Sequence, residues 1–170
     1  TLYICVTMQL LENISLKPYN TFGMDVSARY FTELNHTDAL QDIDNICTTK
    51  EKLVIGGGSN ILLTKNVDAL LIKNNLKGKT IIQENDEHVW VKVMAGEVWH
   101  ELVIYTIAQG WSGLENLSLI PGCVGAAPMQ NIGAYGVEVK DVIDEVSIWF
   151  WEEKSFLTLK NKDCQFGYRD

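Results

Sequence analysis

The residues best suited to chemistry in this chain are glycines rather than acids, bases or nucleophiles. Gly56-Gly57-Gly58-Ser59-Asn60 follows the short apolar run Leu53-Val54-Ile55. Glycines let the backbone approach an anion closely, and Ser59 and Asn60 add side-chain donors, so the segment suits a phosphate. Standing alone, it would equally suit a tight turn between two strands. It is not the usual dinucleotide fingerprint. G-x-G-x-x-G needs a third glycine where Ile61 stands, and that glycine is what lets the helix pack on the strand. Gly78-Lys79-Thr80 does not close a P-loop either, because the first glycine of that pattern would fall at Lys73.

A second glycine-rich stretch changes the balance. Leu114–Gly136 has no long periodic run, and it includes Pro121 and Pro128 and the small-residue wall Gly125-Ala126-Ala127. A long irregular segment inside a domain is usually functional or disordered. This one carries Leu117, Leu119, Ile120, Val124, Met129, Ile132 and Tyr135, which is too apolar for disorder. A buried loop of this kind leaves backbone N–H groups that need partners, and an anionic ligand threaded through it would supply them. Two such loops, far apart in sequence, suit an extended diphosphate such as FAD better than a mononucleotide. The residues by themselves lead to a dinucleotide held outside a Rossmann frame.

Other side chains add less. The chain has two arginines, Arg29 and Arg169, so an arginine-rich surface does not explain either. His36, His88 and His100 show no ligand spacing, and His100 reads as a structural residue in an apolar helix. Cys5, Cys47, Cys123 and Cys164 are scattered singly, with neither zinc nor CxxC spacing, and read as reduced thiols of a cytoplasmic protein. No metal site is expected. Three Asn-x-Ser/Thr triplets begin at Asn13, Asn35 and Asn116, but nothing at the amino terminus resembles a secretory signal. Trp90, Trp99, Trp111, Trp149 and Trp151 read as core, or as surface that a further domain would cover.

Composition bounds the partners. Apolar residues make up 46% and charged residues 21% of the 170, as in an ordinary packed protein. The net charge is −8, from 22 acids against 14 bases, which disfavours nucleic acid and anionic membranes as partners. No apolar stretch approaches the roughly 18–20 residues of a membrane span.

The elements that must position the loops are short strands with few helices. Ala28–Leu34, Leu53–Ile55 and Ala69–Ile72 read as strands, the last two as buried ones. Thr37 reads as the cap of a helix bearing Leu40, Ile43 and Cys47. Asn74–Gly78 is a polar connection. Beyond it, His88–Met94 alternates as a half-buried strand, and Glu97–Gln109 is a helix stopped by Gly110. Val146–Trp151 and Ser155–Leu159 form a hairpin around Glu152-Glu153-Lys154. The organisation expected is a lead-in over 1–14, a first lobe over 15–75 and a second over 76–170. Thr1–Thr7 reads as either an upstream extension or a strand.

Six pieces, in order, carry a resemblance: Asn20-Thr21-Phe22-Gly23, the GGGSN loop, Gly113-Leu114-Glu115, Pro121-Gly122, QNIGAYG (Gln130–Gly136) and FGYRD (Phe166–Asp170). From about Ser15 to Asp170 the chain resembles the amino-terminal, FAD-binding part of UDP-N-acetylenolpyruvoylglucosamine reductases. The resemblance implies an α+β FAD-binding fold of the vanillyl-alcohol-oxidase (PCMH) type, made of two small lobes with the flavin between them. It also implies a bacterial, cytoplasmic role in peptidoglycan precursor synthesis. In that family NADPH reduces the flavin, hydride passes to the enolpyruvyl β-carbon of a nucleotide-sugar substrate, and a serine protonates the α-carbon.

Carried over by matching positions, Gly57, Gly58, Ser59 and Asn60 are expected to line one part of the FAD site. Pro121, Gly122, Gly125, Asn131, Ile132 and Gly133 are expected to line another, with Gly133 bare so that backbone can approach the ligand. Tyr135 is expected at the substrate cleft and Arg169 as the catalytic arginine. The proton-donating serine, a late glutamate and the substrate-binding domain have no counterpart up to Asp170. The 170 residues are therefore expected to be inactive by themselves and to self-associate. Two alternatives stay open: a flavin oxidase of the same fold, and a flavin-binding module without chemistry.

Overall fold

Ala69-Leu70-Leu71-Ile72 is an unbroken apolar run, and in the computed structural model all four residues are buried. Unbroken runs suit a strand covered on both faces, with parallel neighbours. The sheet that holds it comprises β1 (Leu11–Ser15), β2 (Ser27–Leu34), β3 (Lys52–Ile55) and β4 (Val67–Asn74), in the order β1-β2-β4-β3. β1 runs antiparallel to β2, while β4 is parallel to both β2 and β3. The structure describes residues 8–47 and 51–167, so the reading of Thr1–Thr7 lies outside it. The chain divides into two units, residues 1–76 and 77–170.

In the first unit Leu16, Ala28, Phe31, Ile55, Leu63 and Leu71 form one core cluster. Residues 11–14, within the expected lead-in, form most of the edge strand β1. Two expectations need correction here. Leu53-Val54-Ile55 is not buried throughout, because β3 ends the sheet and leaves Val54 47% exposed. Thr37 does not cap a helix. Extended His36 precedes a 3-10 turn over Thr37–Asp42, which runs into α1 (Ile43–Ile46). The three-residue step from Leu40 to Ile43, both buried, matches the 3-10 repeat.

The second unit begins with the antiparallel pair β5 (Lys79–Glu84) and β6 (Val89–Val93), followed by α2 (Trp99–Ala108). Trp99, Leu102, Val103 and Thr106 are the buried face of α2, at helical spacing. The helix starts later than Glu97 because Val98 is extended and bridges Cys123. Gly110, at φ +78°, terminates it as expected. The irregular stretch is a chain of 3-10 turns (Glu115–Leu117, Val124–Ala126, Pro128–Gln130) ending in the small hairpin β7 (Gly133–Ala134) and β8 (Val137–Glu138). Its Leu117 and Ala127 join Trp99, Leu102, Val103 and Val139 in the core. β9 (Glu145–Phe150) and β10 (Ser155–Lys160) form the hairpin expected, with Lys154 at φ +48° in its turn. Among the described residues no helix is long and apolar enough to cross a membrane.

Candidate functional site

β3 delivers the chain into the GGGSN loop, and the loop is clamped from below. Gly58 has φ +65°, and a Cβ there would lie 2.0 Å from the Tyr19 carbonyl oxygen. Thr21 N–H donates to the Gly58 carbonyl at 3.1 Å, which joins the NTFG segment to the loop. That segment is itself fixed by buried Asn20. Its carboxamide donates to Leu16 O (2.7 Å) and Met24 O (3.1 Å) and accepts from Met24 N–H (2.9 Å). Lys73 Nζ, from the end of β4, donates to the Gly56 carbonyl. Two of the loop's carbonyls are thus spoken for, whereas its N–H groups are not. Among the described residues, the N–H groups of Gly57, Gly58, Ser59 and Asn60 have no hydrogen-bond acceptor. A cluster of unused N–H groups on a braced loop has the donor chemistry a diphosphate requires.

In the second unit the loop behaves differently from expectation. Val124 N–H donates to Glu97 O and Gly125 N–H to Ala95 O, each at 2.9 Å. Ala126, Ala127, Asn131 and Ile132 donate to carbonyls of the loop itself. The 3-10 turns and the carbonyls of Glu97 and Ala95 therefore satisfy several of the N–H groups that the sequence leaves in need of a ligand. Gly122 and Cys123 keep N–H groups with no described acceptor, while Gly122 O accepts from Trp99 N–H at 3.0 Å. Pro121 has no N–H to offer and contributes shape.

Two of the expected cofactor glycines are bare for a reason internal to the fold. A Cβ on Gly125 would sit 2.6 Å from the Ala95 Cβ, and one on Gly133 would sit 3.0 Å from Val137 O and 3.2 Å from Glu138 Cγ. Asn131 is buried in a left-handed conformation, with φ 42° and ψ 58°. Ile132 is half-buried against the core. Tyr135, also left-handed at φ 53°, is 90% exposed and open to a ligand. Leu119 and Met129 stand out as well, at 76% and 75%, so the irregular stretch is only partly buried. His100 is structural, as read: its Nδ1 accepts the Leu119 N–H and lies 3.2 Å from Ser118 Oγ.

Charged residues brace these loops. Glu97 is buried; desolvation pushes its carboxyl up, but the Gly78 N–H, Lys79 and Lys77 outweigh that and hold it below the ordinary value. Glu138 is also held low, first by the Lys140 ammonium and then by Asn131. Neither stands out in the sequence, although Glu138 and Lys140 closely follow QNIGAYG. Arg29 pairs with Asp68 at 2.8 Å on the first sheet. Arg169 lies outside the described residues. Among those described, no group of His, Cys, Asp and Glu could hold a metal.

Comparison with known proteins adds a family. The family described as "FAD binding domain" matches residues 28–154. The chain belongs to this FAD-binding family. Its fold is the α+β FAD-binding fold, and FAD is its cofactor. It is also similar to proteins named UDP-N-acetylenolpyruvoylglucosamine reductase. It is 47% identical to that of Flavobacterium johnsoniae over 96% of this chain and 48% of the relative. It is 50% identical to that of Neisseria gonorrhoeae over 91% of this chain and 45% of the relative. The crystal structure of UDP-N-acetylenolpyruvylglucosamine reductase from Thermus caldophilus superimposes with a TM-score of 0.75 at 27% identity, covering 96% of this chain and 56% of that one. The chain spans about half the length of the curated relatives it matches.

Proposed function

We propose that this chain is the FAD-binding portion of an NADPH-dependent reductase that converts UDP-N-acetylglucosamine enolpyruvate to UDP-N-acetylmuramate, in bacterial cytoplasmic peptidoglycan precursor synthesis. The observation that carries the reading is similarity to reductases of that name at 47–50% identity, over nearly all of this chain. The unused N–H groups of the GGGSN loop support it, because they fit a diphosphate.

FAD, when bound, would supply the redox chemistry of an NADPH-dependent reduction of the enolpyruvyl group. The chain's own residues do the rest. The N–H groups of Gly57, Gly58, Ser59 and Asn60 would hold the diphosphate end of FAD. Tyr135 presents an exposed ring to the substrate. Arg169 stabilises the negative charge that hydride delivery builds on the carboxylate-bearing α-carbon, as a fixed guanidinium can. The proton that neutralises that carbon comes from a group outside these residues, so the 170-residue chain does not turn over.

The test is titration of the purified chain with FAD and FMN, paired with substrate-dependent NADPH oxidation by the full-length protein. Preference for FAD, and turnover only at full length, is the expected result. Equal affinity for FMN, or steady turnover by the 170 residues, overturns the reading.

A further inference from the structure

The resemblance puts Asn131 at the cofactor, yet its side chain already makes three hydrogen bonds within the fold. Its two carboxamide protons go to Glu138 Oε2 at 2.9 Å and to the Gly167 carbonyl at 3.1 Å. Its oxygen accepts the Lys140 N–H at 3.1 Å. An asparagine has only two donor protons, so none remains for a ligand. The acceptor Glu138 is held in turn by an ion pair with Lys140, so the arrangement is closed on itself.

The residue type follows from the place. At φ 42° the backbone is left-handed, which asparagine tolerates better than most residues, and the residue is 5% exposed. Aspartate would lack both protons, and glycine would fit the backbone but bond nothing. The far end of the arrangement, Gly167, belongs to the FGYRD segment, and Arg169 follows it by two residues. Two residues of chain reach at most about 7 Å, so fixing the Gly167 carbonyl restricts where Arg169 can start.

We infer that Asn131 is a positioning residue that ties QNIGAYG to FGYRD through the Gly167 carbonyl and thereby sets Arg169, and that its side chain does not serve as a cofactor ligand. The inference rests on the proposed role of Arg169.

Its test is a double-mutant cycle of Asn131→Gly and Arg169→Lys in the full-length protein. The readouts are FAD affinity, KM for the enolpyruvyl substrate and kcat. Asn131→Gly keeps the left-handed backbone and deletes all three bonds. It should lower kcat about tenfold or more while leaving FAD affinity within about twofold. In the Arg169→Lys background it should cost little further. A fall in FAD affinity matching the fall in kcat would make Asn131 a cofactor ligand and overturn the inference. So would an equal loss of kcat in both backgrounds. Should Asn131→Gly fail to fold, Asn131→Asp is measured in its place, since it keeps the acceptor and loses both donors. If Arg169→Lys alone leaves kcat unchanged, the proposed role of Arg169 fails and takes the inference with it. That outcome is distinct from the two in which Arg169 matters and Asn131 does not act through it.

Discussion

The Tyr19 carbonyl oxygen occupies the space a side chain on Gly58 would need, 2.0 Å from the position of its Cβ. The GGGSN loop is therefore seated on the chain just before the NTFG segment by a backbone-to-backbone contact that no other residue permits. Gly58→Ala adds a collision with main chain to the cost of a left-handed alanine. It should destabilise the first unit by about 3 kcal/mol or more. Gly23 has a similar φ of +64° but nothing within 4 Å, so Gly23→Ala should cost only about 1 kcal/mol. Urea unfolding of the two variants without FAD makes the comparison, and equal midpoints would remove Gly58 from this role.

Glu97 gives the second unit a sensitivity to acid. Despite desolvation, its bonds to the Gly78 N–H at 2.7 Å and Lys79 at 3.0 Å hold its pKa below the ordinary 4.5. A carboxylate whose folded pKa lies below its unfolded one adds stability that is fully present above the unfolded value. That stability declines as pH falls through the ordinary carboxylate range towards the folded pKa. Glu97→Gln should lower stability at pH 7 by about 2 kcal/mol and flatten the pH dependence below 4.5. A variant with the same acid limb as the native chain would assign that limb to other groups.

Gly133→Val separates two reasons for a glycine. A bare backbone kept for ligand approach would lose FAD binding first and keep its melting temperature. The 3.0 Å and 3.2 Å approaches to Val137 O and Glu138 Cγ lead us to expect the opposite. Melting without FAD should fall by several degrees, consistent with a loss of about 1–3 kcal/mol for an overpacked site. An unchanged melt with weakened FAD binding would restore the ligand-approach role.

The exposed apolar side chains Phe22, Leu62, Leu119, Met129 and Tyr135 are each at least 60% accessible. Surface of this kind favours association. Sedimentation of the 170-residue chain should show concentration-dependent association that FAD reduces. Ideal monomer behaviour up to high concentration would count against it.

What could be read in the sequence was whatever local pattern controls. The buried run of β4, the helix α2 with its Gly110 stop and the β9–β10 hairpin each carry their own signal. β1 and β5 do not. Leu11 and Ile14 are three apart and give no strand alternation, while Ile81 and Ile82 in β5 are 45% and 58% exposed on an open hairpin. In the candidate site, the sequence singles out the glycine loops but not the internal packing that each glycine answers to. Gly58, Gly125 and Gly133 face other parts of the backbone, and Asn131 turns inward to residues up to 36 positions away. Such partners are set by tertiary packing, which residue type and spacing do not encode.

The strand order of the first unit has a consequence for biosynthesis. β4 is the last of its four strands to be made, and it is the one that joins β3 to β2. Translation proceeds at about 5–20 residues per second, so the GGGSN loop exists for a second or so before the strand beside it. Until Lys73 has emerged, nothing from β4 can brace the Gly56 carbonyl, and β3 lacks its neighbour. A nascent chain halted just past Asn60 would carry the whole glycine motif without the strand that braces it. The bracing of the glycine loop is thus post-sheet, waiting on the arrival of the strand that ends at Asn74.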